Sequence, residues 1–295
     1  MKNFNYLAPS GLTEATSLLS QYGEGAKIMA GGTDLLVKMR NREVKPTYVI
    51  DLKCIPNMDS IEYNAKKGLK VGALTKVRDV EISRIIQEKF SILSQAAGTL
   101  GSVQVRNKAT IGGNLCHASP SADMAPALIG LDAEVKFVGR RGVKLMPLEE
   151  FFKGPGKTVL KSNEILTEII VPNMADFSQG VYLKFSPRRA MDLAIVGVAC
   201  VLTTDLGSFK CLDVRIVLGA VAPTPIRAKK AEEMIRGESL SSSVIKEATK
   251  MAREEAQPIT DIRASEWYRG EIVEVLVSRA ISKALDRIKA KLGRK

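Results

Sequence analysis

Two glycine pairs, Gly31-Gly32 and Gly112-Gly113, constrain what this chain can fold into more than any other feature. Adjacent glycines leave the backbone without Cβ cover, so successive N–H groups can converge on an anion. The second pair lies in Thr110-Ile111-Gly112-Gly113-Asn114, which runs on through Leu115-Cys116-His117-Ala118-Ser119-Pro120-Ser121-Ala122-Asp123. Thr110, Asn114 and Ser119 add hydrogen-bonding side chains, and Asp123 can accept from ligand hydroxyls. The first pair stands in Ala30-Gly31-Gly32-Thr33-Asp34, between an apolar run and a helical pattern. Two such loops on one domain suit a ligand with two linked phosphates.

The flanking pattern supports that geometry at the first pair. Lys27-Ile28-Met29-Ala30 reads as a short buried strand, and Thr33 or Asp34 as the cap of a helix carrying Leu35, Leu36, Val37 and Met39. A strand, a glycine turn and a helix N-terminus in that order present amide donors to phosphate. Upstream, Ser10 is the expected cap of a helix through Tyr22, which Gly23 and Gly25 end. Downstream come a strand at 47–52, a hairpin turning at Lys66-Lys67-Gly68, a helix capped by Thr75 and running through Ile86, and another near 89–100. This order implies an α/β or α+β domain with a mixed sheet. Strands at 133–138, 143–146 and 164–171 follow, with a short helix at 147–152 that has proline in its first turn.

Pro172 to Asp176 marks a boundary. Beyond it, strands near 180–186, 194–204 and 212–219 precede helices near 228–236, 241–256 and 265–291. Strands in sequence and then helices in sequence imply a smaller α+β domain, with helices on one face of an antiparallel sheet. The expected domains are therefore 1–175, itself split near residue 55, and 176–295.

Composition narrows the function. The hydrophobic fraction of 45% and charged fraction of 26% over 295 residues are those of a soluble globular protein. No apolar run approaches the ~20 residues of a membrane-spanning helix, and the N-terminus lacks the apolar core of a secretory signal, so cytoplasm is the expectation. The net charge of +12 is spread along the chain. Its densest part, Arg287 to Lys295, suits the end of a helix, and the aromatic residues do not interleave with the cations as base stacking requires. An anionic cofactor or an acidic partner subunit fits this charge better than nucleic acid. Cys54, Cys116, Cys200 and Cys211 form no C-x-x-C pair, so neither a metal cluster nor a disulfide framework is expected.

Rival motifs fall away on inspection. The fingerprint G-x-G-x-x-G is absent, because Gly23-Glu24-Gly25 continues Ala26-Lys27-Ile28. Gly154-Pro155-Gly156-Lys157-Thr158 imitates the end of a P-loop, but Phe151 stands where the pattern needs glycine and a proline removes one donor. That stretch reads as a turn. His117, the only histidine, reads as a hydrogen-bonded neighbour of the glycine loop, with ligand contact as the other possibility. Asp123 either faces a ligand or caps the helical piece after it. Lys184 lies between apolar neighbours in Lys184-Phe185-Ser186-Pro187-Arg188-Arg189-Ala190-Met191-Asp192, pointing either into a cleft or into solvent.

Taken in order, Ala30-Gly31-Gly32-Thr33-Asp34-Leu35 and Thr110-Ile111-Gly112-Gly113-Asn114-Leu115 resemble the FAD-binding medium subunit of the molybdenum hydroxylases. Carbon monoxide dehydrogenase and xanthine dehydrogenase belong to that family. The likeness extends to Ser119-Pro120 with Asp123, to 151–158, and to Lys184 with Arg188-Arg189-Ala190 and Asp192. It implies a two-subdomain α/β FAD-binding domain of the vanillyl-alcohol-oxidase-like type plus a C-terminal α+β domain. By matching positions, Lys27, Ile28, Met29, Ala30, Gly31, Gly32, Thr33, Asp34 and Leu35 would form a first cofactor loop. Thr110, Ile111, Gly112, Gly113 and Asn114 would form a second. Asp123 would bond the cofactor's sugar or adenine portion; Leu100, Leu166 and Lys184 would line the site, the last near the flavin ring. The resemblance further implies electron transfer from the [2Fe–2S] clusters of a small subunit, through FAD, to NAD⁺, a quinone or another acceptor. A large molybdopterin-binding subunit would complete a dimer of heterotrimers. No residue of this chain need act as an acid–base catalyst or bind metal. A stand-alone flavin reductase or oxidase of the same fold is the alternative.

Overall fold

The computed structural model describes residues 2–188 and 190–292. Arg189 of the basic cluster and Gly293 to Lys295 of the C-terminal basic run lie outside the described residues. The chain opens with β1 (Asn5–Leu7), α1 (Leu12–Tyr22), β2 (Ala26–Met29), α2 (Leu35–Arg40) and β3 (Tyr48–Asp51). The strands form a small parallel sheet in the order β1-β3-β2. α1 packs Ala15 and Leu19 inward, and Gly23 closes it with φ of 50°, a conformation that suits glycine. Ser10 does not cap this helix. Gly11 holds the cap position, and the Ser10 N–H instead donates to the Glu14 carboxylate at 2.9 Å.

The next segment comprises β4 (Ile61–Asn64), β5 (Gly68–Gly72), α3 (Val77–Ile82), α4 (Arg84–Lys89), α5 (Ser91–Thr99), α6 (Val103–Arg106), α7 (Ile111–His117), α8 (Met124–Gly130), β6 (Glu134–Gly139), β7 (Gly142–Pro147), β8 (Phe152–Gly154), β9 (Lys157–Thr158) and β10 (Ile165–Val171). Five of these strands build an antiparallel sheet ordered β4-β5-β10-β6-β7. One mixed sheet is therefore replaced by a parallel and an antiparallel sheet, with β8 and β9 paired antiparallel apart from both. The helix expected from Thr75 to Ile86 is broken at Ser83 into α3 and α4. Thr75 is fully buried and donates its hydroxyl to the Ser60 carbonyl at 3.2 Å, so Lys76 takes the cap position instead. The expected helix at 147–152 shrinks to a single 3-10 turn over Leu148–Glu150.

The remaining elements are β11 (Ser178–Phe185), β12 (Val196–Thr204), β13 (Cys211–Gly219), β14 (Ile226–Arg227), α9 (Lys229–Ile235), α10 (Ser242–Glu255) and α11 (Glu266–Leu292). The strands pair antiparallel in sequence order, and the helices pack on one face. Alternation along β12 divides its side chains between two cores. Val198, Cys200 and Leu202 join the core under the C-terminal helices, whereas Ala199 and Val201 join the N-terminal core with Tyr182 and Val217. Close approach at this seam depends on small residues. A Cβ on Gly180 would stand 2.8 Å from Ile92, and one on Gly219 2.8 Å from Pro126. Among the described residues no helix is long and apolar enough to cross a membrane.

Candidate cofactor site

Both glycine pairs border one cavity of about 1030 Å³. Its wall also includes Leu100 and Gly101, the turn from Ser119 to Asp123, residues 158–166, and Met191 to Leu193. The first loop enters from β2 and leaves into α2. Gly31 has no room for a side chain, because a Cβ there would lie 2.0 Å from the Lys108 carbonyl oxygen. Gly32 has φ of 74°, in the left-handed region. Among the described residues, the N–H groups of Gly31, Gly32, Thr33, Asp34 and Leu35 donate no hydrogen bond, and all five residues line the cavity. Neither Thr33 nor Asp34 makes a capping bond to α2. These amides remain available to a ligand.

The second glycine pair behaves differently. Thr110 to Asn114 is not a loop of open amides but the cap and first turn of α7. Ile111 N–H donates to the Thr75 carbonyl at 3.0 Å, Gly112 N–H to Ala73 at 2.9 Å, and Gly113 N–H to the Thr110 hydroxyl at 3.1 Å. The sequence pattern suggested an anion nest, yet its donors are already engaged. Gly112 is small for packing reasons: a Cβ would sit 2.6 Å from that of Ala73 and 2.7 Å from its carbonyl oxygen. What α7 does offer the cavity is Asn114, whose Oδ1 is buried with no hydrogen-bond partner among the described residues.

Asp123 edges the cavity but is engaged from behind. Its Oδ1 accepts from the Tyr182 hydroxyl at 2.9 Å and its Oδ2 from Lys184 Nζ at 2.9 Å. Lys184 also donates to the Thr99 carbonyl at 3.1 Å, and its side chain is 6% exposed. The lysine therefore points into neither cleft nor solvent, but closes a buried ion pair between β11 and the turn before α8. Burial pushes the Asp123 carboxyl pKa up against the opposing pull of the Lys184 ammonium and the Tyr182 hydroxyl. Burial, and then the Asp123 charge, raises Tyr182 well above the usual tyrosine range. Asp123 makes no capping bond to α8.

Of the other positions singled out, Lys27, Ile28, Ala30, Leu100, Thr110, Gly112, Gly113 and Leu166 line the cavity. Met29 and Ile111 do not. Ile111 is fully buried in the core, and the Met29 sulfur packs beneath the first loop, 3.5 Å from where a Gly32 Cβ would be. His117 links the two segments, with Nε2 3.7 Å from Asp34 Oδ1. Gly154 to Thr158 is the turn of the β8–β9 hairpin, and no helix follows it. Gly101, with φ of 51°, and Lys38 were not anticipated as wall residues. A glycine between Leu100 and Ser102 was the available signal for the first; Lys38 gave none.

The donor set fits a dinucleotide. One loop supplies free amides for linked phosphates, Lys27 and Lys38 supply positive charge at the wall, and Asn114 holds an unpaired polar atom for a ligand donor. Residues 2–174 match the family model described as the FAD binding domain in molybdopterin dehydrogenase. The chain belongs to that family.

Residues 181–284 match the CO dehydrogenase flavoprotein C-terminal domain. The 6-hydroxypseudooxynicotine dehydrogenase complex subunit alpha of Paenarthrobacter nicotinovorans is 32% identical, over 97% of this chain and 95% of that protein. The glyceraldehyde dehydrogenase medium chain of Sulfolobus acidocaldarius is 31% identical, over 94% and 96%. The carbon monoxide dehydrogenase structure from Hydrogenophaga pseudoflava superposes with a TM-score of 0.93 at 33% identity, covering 97% of this chain and 98% of that one. This chain is thus an FAD-binding subunit of an oxidoreductase, and the molybdenum cofactor lies in another subunit.

Proposed function

We propose that this protein is the electron-transfer flavoprotein of a cytoplasmic molybdenum hydroxylase. It takes electrons from the [2Fe–2S] clusters of a small subunit and passes them to NAD⁺, a quinone or another acceptor. A large molybdopterin subunit hydroxylates the substrate, and the assembly is a dimer of heterotrimers. The observation that carries this reading is the run of undonated amides from Gly31 to Leu35 on the wall of a dinucleotide-sized cavity. Residues 1–175 serve as the cofactor domain and 176–295 as its cover.

Bound FAD supplies one- and two-electron redox chemistry at the ring. The chain's own residues bind and orient it. Gly31 to Leu35 would cradle the pyrophosphate, while Thr110, Gly112, Gly113 and Asn114 would form a rigid second wall from which Asn114 would accept a hydrogen bond from the cofactor. Leu100 and Leu166 exclude water from the apolar portion, and Lys184 holds the Asp123 carboxylate in place. Purification from the native source tests the assignment. The expected preparation absorbs near ~370 and ~450 nm as a flavoprotein does and brings iron and molybdenum with it. A colourless chain that stays colourless after FAD addition would refute it.

Asn114→Leu tests the second wall. Losing one hydrogen bond of about 1–1.5 kcal/mol predicts roughly tenfold weaker FAD binding by the deflavinated protein, with unchanged thermal stability. Fluorescence titration measures it, and unaltered affinity would remove Asn114 from the site.

A further inference from the structure

A second, smaller cavity of about 270 Å³ is bordered by Lys2, Met39, Arg42 and Lys45. Three of these four described residues are cations, and the fourth is the buried Met39 of α2.

The fold brings the charges together. β1 and β3 run parallel with Asn5 opposite Tyr48, and Lys2 and Lys45 each stand three residues before that pair. The Asn5 N–H donates to the Thr47 carbonyl at 2.8 Å, so the two chains enter the sheet side by side. Like charges gathered in this way repel one another. Among the described residues none of the three cations makes an ion pair. The adjacent Glu43 carboxylate instead accepts from the Asn41 side-chain amide at 3.1 Å.

Arg42 adds an independent signal. Past the end of α2 the Arg42 N–H donates to the Met39 carbonyl at 3.2 Å, and the Glu43 N–H to the Lys38 carbonyl at 2.9 Å. This closing turn needs a left-handed residue at its centre, where glycine or asparagine is usual. Arg42 occupies that position with φ of 63°. An arginine there carries a backbone strain that glycine would not. Its charge is not needed to cap the helix, because the carbonyls of Val37, Lys38 and Met39 already accept backbone N–H groups. A residue that breaks its local rule with no compensating contact marks a functional position.

We propose that this cavity binds a small phosphate-bearing anion, held between Lys2, Arg42 and Lys45. A guanidinium offers phosphate two parallel N–H donors, and the two ammonium groups neutralise the rest of its charge. The volume suits a phosphate group with a short organic remainder against Met39, and falls below that of a drug-sized ligand pocket. A nucleic-acid strand needs aromatic residues between the cations, and none borders this cavity among the described residues. The proposal stands independently of the flavin reading.

The test titrates the protein by calorimetry at constant ionic strength, with inorganic phosphate and glycerol phosphate as probes. Excess FAD is present throughout, so that the amides of Gly31 to Leu35 are occupied and do not register. One saturable site per chain is expected. Arg42→Gly/Lys45→Gln should bind at least about tenfold more weakly, since two charged donors are gone. It should melt no lower than wild type, because glycine suits φ of 63°. Tighter binding of the ester assigns the site to an organic phosphate, and tighter binding of inorganic phosphate to the free ion. Absence of saturable binding by either probe overturns the site, and so does wild-type affinity in the double variant.

Discussion

Gly31→Ala is expected to abolish flavin retention. The added methyl would stand 2.0 Å from the Lys108 carbonyl oxygen and 3.0 Å from Ala109 Cα, both backbone atoms that cannot rotate away. Relief requires the first loop to move by about 1 Å or more from the turn connecting α6 to α7. Misplacements of that size cost about a hundredfold where several groups must converge on one ligand. The cost to the fold is smaller, about 1–3 kcal/mol for overpacking at one site. Absorbance at ~450 nm relative to protein, beside a thermal melt, separates the two effects. Gly156→Asn is the control, since Gly156 has open space around it and φ of 69°, which asparagine tolerates. A folded Gly31→Ala protein with one FAD per chain would contradict the loop assignment.

Lys184→Met should destabilise the chain by about 3–5 kcal/mol, because it leaves the buried Asp123 carboxylate without its cation. Adding Asp123→Asn should restore much of that loss, since the uncompensated charge is gone while Tyr182 keeps an acceptor. The pH dependence has a definite sign. Burial raises the Asp123 pKa in the folded state, and removing Lys184 takes away one of the influences that lowers it. A carboxyl with a raised folded pKa binds its proton more readily folded than unfolded, so stability falls as pH rises through that window. The deficit of Lys184→Met is therefore greatest at neutral pH and shrinks on acidification. Urea denaturation at several pH values measures it; a deficit independent of pH would mean the carboxylate is not the cause.

Much of the architecture was legible in the sequence because periodicity is a local signal. Ile92, Leu93, Ala96 and Ala97 mark the buried face of α5, and the three long C-terminal strands follow from their apolar runs. What escaped depended on partners far along the chain. Gly112 looked like an anion loop because two adjacent glycines look alike whether they admit phosphate or a neighbouring backbone. Its constraint is Ala73, on the segment after β5. Lys184 was ambiguous because its partner lies 61 residues away. The cap at Thr75 was misassigned because a hydroxyl near a helix start can equally serve a segment far along the chain, as Thr75 serves the Ser60 carbonyl before β4, and the Ser10 hydroxyl bonds the Glu14 side chain of α1 instead. The open amides of Gly31 to Leu35 arise from a strand, turn and helix that are contiguous in the chain, and so leave a local signal.

The seam along β12 has a consequence for how such chains diversify. Gly130 lies within 3.8 Å, by its would-be Cβ, of Val201, Val217 and Ala199, while Gly180 and Gly219 admit Ile92 and Pro126. Each half is thus moulded to the other's surface across residues that touch neither cofactor nor solvent. Lineages that recombine one half alone would inherit mismatched halves, so the two are expected to travel through evolution as a single heritable unit.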